Sequence, residues 1–160
     1  VSASGTVGAA LEAAMVGVPA VAFSAVRSGD WETWSRHMGS PESRPEWTRL
    51  AGVATDIAAE VWANGLPEGT DVLSVNIPSD ADRDTPRRMT RLADSRHGTL
   101  FEERDGRYEH RGSAGLRPTE PNASDTDMAA SDAGVVSITP LRMAQLGQTI
   151  DPALRTRFET

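Results

Sequence analysis

The sequence predicts an α/β domain, and three observations carry that expectation. Residues 4–26 read as a capped helix, a tight exit and a continuous apolar strand. Residues 46–78 repeat the same helix-then-strand order. The first strand is a near-continuous apolar run, the pattern of a sheet covered on both faces, and the second is a β-rich run stopped by Pro78. Alternating helices and buried strands of this kind build a parallel sheet with helices on its faces.

In the first unit, Ser4 is a candidate N-cap whose hydroxyl can accept from amides two or three residues on. Gly5 lets backbone approach a ligand closely, and Thr6 adds a second hydroxyl. A helix start of this type suits a phosphate, but the same residues also suit an ordinary capped helix, and local chemistry leaves both open. The helix is expected over residues 6–16, with Val7, Ala10, Leu11, Ala14 and Met15 on its apolar side. Gly8, Ala9, Ala10, Ala13 and Ala14 are small enough for close packing on a sheet. Gly17 is a natural stop, Pro19 blocks continuation, and residues 19–26 form the strand. A further strand should precede Val1, and a chain that opens with Val inside a motif looks truncated.

Residues 27–45 contain Gly29, Gly39, Pro41 and Pro45 and read as a long polar loop. Its Trp31 and Trp34 can pin the loop to the body or stack on a base. Helical spacing from Trp47 to Trp62 gives a helix over residues 46–63, and residues 72–77 a strand stopped by Pro78. Residues 79–86 are a charged loop, and residues 87–92 can form a partly solvated strand. Residues 100–111 form a polar hairpin about Asp105 and Gly106, a pair suited to a type I′ turn. Residues 112–123 are loop-like. A short helix capped by Thr126 ends at Gly134, a strand at 135–139 is stopped by Pro140, and residues 151–158 can form a tail helix. The division expected is 1–78 for the core and 79–160 for a hairpin, closing strand and oligomerisation tail packed on that core.

Composition narrows the chemistry. There is no cysteine, which excludes disulfides, thiolate metal sites and cysteine nucleophiles. All sixteen basic residues are arginine, against twenty-three acidic ones, for a net charge of −7. That balance disfavours nucleic acid and anionic membranes as partners. It matches proteins of salt-loving organisms and equally a GC-rich genome. No apolar run approaches a membrane span and no leader is visible, which points to the cytoplasm if Val1 is a true start. His37, His97 and His110 lack ligand spacing. There is no G-x-S-x-G elbow, and a chain without lysine has no P-loop. Gly5 and Gly8 do not complete a dinucleotide fingerprint. Asp80, Asp82 and Asp84 alternate without the glycine and glutamate of a calcium loop. Asp125 and Asp127 flank Thr126 as helix-start residues.

A family resemblance adds what local chemistry leaves open. Ser4-Gly5-Thr6-Val7, followed by GAALEAAMVGVPAVAFS, resembles the SGTVGAA-x-EG-x-x-x-G-x-P-x-[IL]-A-x-S segment of the SurE survival proteins. VLSVNIP at residues 72–78 resembles that family's LNVNVP strand. Thr90-Arg91 falls at its T-R pair, and Thr126-Asp127 with GVVSITPL at 134–141 resembles its closing block. The resemblance implies a three-layer, Rossmann-like α/β core, incomplete here at its N-terminus. It also implies a C-terminal hairpin and tail exchanged between subunits of a homodimer or homotetramer. The activity implied is metal-dependent hydrolysis of nucleoside 5′/3′-monophosphates. The divalent metal (Mg or Mn) would be held by an Asp-Asp pair, a serine and a G-I-N asparagine, all expected upstream of Val1. Only the phosphate-binding positions, Ser4, Gly5 and Thr6, carry over. This implies no metal ligand and no catalytic residue in the chain, and hence an incomplete site. Ala3, Ala13 and the long Trp31–Trp34 segment depart from the family pattern.

Overall fold

The structure, a computed structural model, describes residues 4–26, 31–96, 101–110, 117–120 and 122–143. The α/β expectation holds. Helix α1 (Gly5–Met15) is capped by Ser4, whose Oγ accepts from the Val7 amide at 3.3 Å. It ends in a Schellman turn: Gly17 stands at φ +82°, its amide donates to Ala14 O, and the Val18 amide donates to Ala13 O. A left-handed residue there reverses the chain within three residues. Strand β1 (Ala20–Val26) therefore runs back antiparallel to α1.

Helix α2 (Trp31–Met38) and a 3-10 turn (Pro41–Ser43) follow, where the glycines and prolines suggest a loop throughout. The correction has a packing cause. Met38 is buried and Trp34 packs on the same cluster as Leu50 and Val53 of the next helix, so tertiary burial outweighs weak helix propensity. The pinning reading of Trp34 is thus the one observed; the side chain of Trp31 lies outside the described set. Helix α3 (Arg44–Asn64) carries Pro45 in its first turn, where its missing N–H costs nothing.

Strand β2 (Val72–Pro78) pairs parallel with β1, from Ala20 opposite Val72 to Val26 opposite Pro78. Then come β3 (Arg87–Met89), β4 (Ser95–Arg96), β5 (Phe101–Arg104), β6 (Arg107–His110), β7 (Arg117–Pro118), helix α4 (Asp127–Asp132) and β8 (Val136–Leu141). The main sheet has the order β1-β2-β8-β3, with β8 antiparallel to β2 and parallel to β3. Strands β5 and β6 form the expected hairpin, with Asp105 at φ +52° and Gly106 at φ +73°. The region expected as loop over 112–123 contains β7, which pairs with β4. The predicted tail helix lies outside the described residues. So do His97 and the side chain of His110.

Pro140 lies inside β8 and does not end it. Val136 N donates to Pro86 O and Ile138 O accepts from Thr90 N, so even-numbered residues of β8 turn their backbone toward β3. By alternation the Pro140 nitrogen faces that side too, past the last rung of β3. No ladder bond is lost there.

Two clusters set the layers. Leu50, Val53 and Ile57 of α3 pack on Leu73, Val75, Ile77 and Val136, with Val21, Phe23 and Ala25 joining from β1. On the opposite face, Val7 and Ala10 of α1 pack on Ala22, Val72 and Leu141. Helices thus cover both faces, giving three layers. The outer edge of β1 pairs with no other strand among the described residues.

Candidate functional site

Because α1 runs antiparallel to β1, its N-terminus stands at the carboxyl end of the parallel strands. Ligands of open α/β sheets bind at that end. The Ser4 carbonyl accepts the first helical bond, from Gly8 N at 2.8 Å, and its hydroxyl takes the Val7 amide. The Gly5 and Thr6 amides have no acceptor among the described residues, as the first turn of a helix requires. Ser4 is half-buried while Gly5 and Thr6 are exposed. A Cβ added at Gly5 would meet no atom within 4 Å, nor would one at Gly8. Neither glycine is demanded by packing among the described residues. This corrects the expectation for Gly8 and Ala9: Gly8 is half-buried, Ala9 is exposed, and Ala10 with Val7 makes the buried contact. At Gly5, the bare backbone and two free amides leave room for an anion to come close.

The other candidates have structural duties. Asp82 Oδ1 accepts from the Asp84 amide at 3.0 Å and from Thr85 Oγ1 at 3.1 Å, an Asx-type turn in an exposed loop. His37 Nε2 lies 3.2 Å from Glu46 Oε1. Among the described residues no three His, Asp or Glu side chains gather where they could hold a cation. Thr126 caps α4 by accepting from Ala129 N at 3.2 Å, and Asp127 Oδ1 accepts from Ala93 N at 2.8 Å. An apolar groove between the end of α3 and the β8–β3 edge, lined by Val61, Leu66 and Met89 among others, lies on the α3 face, away from the α1 corner.

The Thr90-Arg91 pair was legible as a motif but not as a device. The Thr90 hydroxyl meets the Thr139 hydroxyl at 2.7 Å, and both residues are buried. Arg91 donates from Nε to Asp125 Oδ2 at 2.9 Å and from Nη2 to Glu120 Oε2 at 2.5 Å. Its backbone brackets the same segment: Arg91 N donates to Asp125 O, and Asp127 N to Arg91 O. Asp125 is therefore part of a strap to the segment that follows β3.

The Arg91 hydrogen bond holds the Asp125 carboxyl below the usual carboxylate range. A depressed folded value means that the strap is complete above about pH 3.9, where the unfolded chain's aspartate titrates. It is lost as pH falls through the lower folded value. Asp125→Asn should therefore flatten the fall of Tm below about pH 4. The pair is exposed, so 1 M salt should shrink the difference. A Tm profile identical to that of the unsubstituted chain would show that the strap is not stabilising.

Comparison with known proteins fits this geometry. The pattern described as Survival protein SurE matches residues 1–99. Relatives named 5′-nucleotidase SurE include one from Methanocella arvoryzae, 36% identical over 94% of this chain and 57% of its own length. Another, from Methanosarcina acetivorans, is 36% identical over 89% of this chain and 54% of its own. The one from Thermococcus gammatolerans is 39% identical over 65% of this chain and 37% of its own. The crystal structure of the SurE protein from Aquifex aeolicus superposes with a TM-score of 0.62 at 24% identity, over 96% of this chain and 57% of that one. The chain spans about half the length of most of these relatives. With the SGTV helix start, the α/β core and residues 1–99 all agreeing, the chain belongs to the SurE survival protein family.

Proposed function

We propose that this chain is the phosphate-binding portion of a metal-dependent phosphatase acting on nucleoside 5′/3′-monophosphates. The observation that carries the reading is the open start of α1 at the carboxyl end of β1 and β2, with Gly5 and Thr6 amides that have no acceptor among the described residues. Relatives bearing the name 5′-nucleotidase support the substrate class. Ser4, Gly5 and Thr6 bind the phosphoryl oxygens: two amides donate, the Ser4 and Thr6 hydroxyls add donors, and the helix dipole favours the negative charge. The cation implied by the family is not fitted by the described residues, which gather no ligand set. The complete enzyme acts in the cytoplasm as a homodimer or homotetramer, with residues 79–160 supplying the assembly surface. No described helix is long and apolar enough to cross a membrane.

The same lack of a ligand set favours a second reading, in which the chain alone is a catalytically inactive phosphate-binding or assembly module. The chain incubated with Mg²⁺ or Mn²⁺ and AMP or p-nitrophenyl phosphate decides between them: turnover excludes the inactive module. The phosphate site has its own test. Ser4→Ala should weaken inorganic phosphate binding by about tenfold, the loss of one charge-assisted hydrogen bond, while the circular dichroism of the fold is retained. Unchanged binding would return Ser4 to capping alone.

A further inference from the structure

The sheet face beneath α1 changes polarity rung by rung. The first rung, at the closed end of the α1–β1 turn, is Ala20–Val72–Leu141, with Leu92 packed against it. The second is Ala22–Ser74–Thr139, extended by the Thr90 hydroxyl. The third is Ser24–Asn76–Ser137, and β3 adds Arg88 to it. An apolar floor thus becomes wholly polar within four residues of strand. Asparagine is disfavoured in strands, yet Asn76 sits in a central one between two buried neighbours, Val75 and Ile77.

The polar rung lies toward the carboxyl end of β1 and β2, the end at which α1 starts. Val7 shares one packed cluster with Ala22 of the second rung. Ser4 is three residues further along the helix, about 4.5 Å, and Asn76 two residues further along the strand, about 6.6 Å. Asn76 is half-buried, and its Nδ2 donates to the fully buried Ser137 Oγ at 3.2 Å, which fixes the plane of the carboxamide. Its Oδ1 and its second N–H make no hydrogen bond among the described residues.

We infer that Asn76 is a specificity-determining residue that contacts the nucleoside part of a substrate whose phosphate rests on the α1 N-terminus. The inference rests on the phosphate reading of Ser4, Gly5 and Thr6. A phosphoryl oxygen only accepts hydrogen bonds, whereas a carboxamide offers a donor and an acceptor side by side. Its complement is a group that also does both, such as a sugar hydroxyl or the edge of a base. A buried serine holding one end of the amide preorganises the other.

The test uses the ¹⁵N-labelled chain titrated with AMP and, separately, with inorganic phosphate. The side-chain NH₂ resonances of Asn76 should move with AMP and stay in place with phosphate. Asn76→Ala should weaken AMP binding about tenfold, toward the affinity for inorganic phosphate, and leave phosphate binding unchanged. Asn76→Ser, whose hydroxyl suits the polar rung, guards against a folding defect and should show the same selective loss. Equal loss for both ligands, or resonances that AMP leaves in place, overturns the inference. If Ser4→Ala weakens both ligands while the Asn76 resonances stay still with AMP, only the Asn76 assignment fails. If Ser4→Ala weakens neither, or neither ligand binds, the phosphate reading fails and takes this inference with it.

Discussion

Leu73→Ala should lower the unfolding free energy by about 3 kcal/mol, in the middle of the range for a buried leucine truncated to alanine. Leu73 is 4% exposed in β2, which is paired on both sides and packed on its α3 face against Leu50, Val53 and Ile57. Walls fixed by two ladders cannot collapse around the missing carbons, so the cavity cost adds to the lost transfer energy. For a chain of this size the change corresponds to a fall in Tm of about 9 °C. Met89→Ala serves as the control, because Met89 is 58% exposed and surface changes stay within about 0.5 kcal/mol. Urea unfolding followed by circular dichroism checks both, and a loss below about 1 kcal/mol for Leu73→Ala would contradict the packed α3 layer.

The second large effect comes from the buried hydroxyl pair. Thr90→Val should cost about 2 kcal/mol, because it leaves the Thr139 hydroxyl, 1% exposed, without its 2.7 Å partner. Thr139→Val should cost a similar amount for the mirror reason. The double variant should cost less than either single one, since two valines of the same shape leave no orphaned polar group. That sign reversal sets a hydrogen-bonded pair apart from two separate packing sites, whose costs would add. Additive losses would show that the two hydroxyls do not depend on each other.

The elements legible in the sequence are those whose causes are local. Ser4 and Gly17 bracket α1, Asp105-Gly106 makes its turn, and Thr126 and Gly134 bracket α4, each by backbone chemistry within a few residues. Helix α2 is hidden because Gly39 and Pro41 punctuate its end. Its stabilising contacts, Trp34 and Met38 on the α3 cluster, are distant in sequence. Pro140 reads as a stop until the pairing of β8 shows which edge its nitrogen faces. The site follows the same division. Ser4, Gly5 and Thr6 are visible as a motif, but the role of Asn76 depends on its register with Ser137, sixty-one residues away. The alternations Ser74-x-Asn76, Ser137-x-Thr139 and Arg88-x-Thr90-x-Leu92 are all present in the sequence. Nothing local says that they stack into one graded face.

The place of β8 bears on how the protein comes off the ribosome. The last of the four main strands to be synthesised is an interior one, between β2 and β3. Until residues 136–141 emerge, β3 has no partner strand in that sheet and the β2 edge that β8 covers lies open. Closing it means bringing Ser137 back to Asn76 across a loop of sixty residues, an entropic cost that slows the step. The polar rung is therefore assembled last. A chain stalled before Val136 lacks Ser137, and with it the β8 side of that rung.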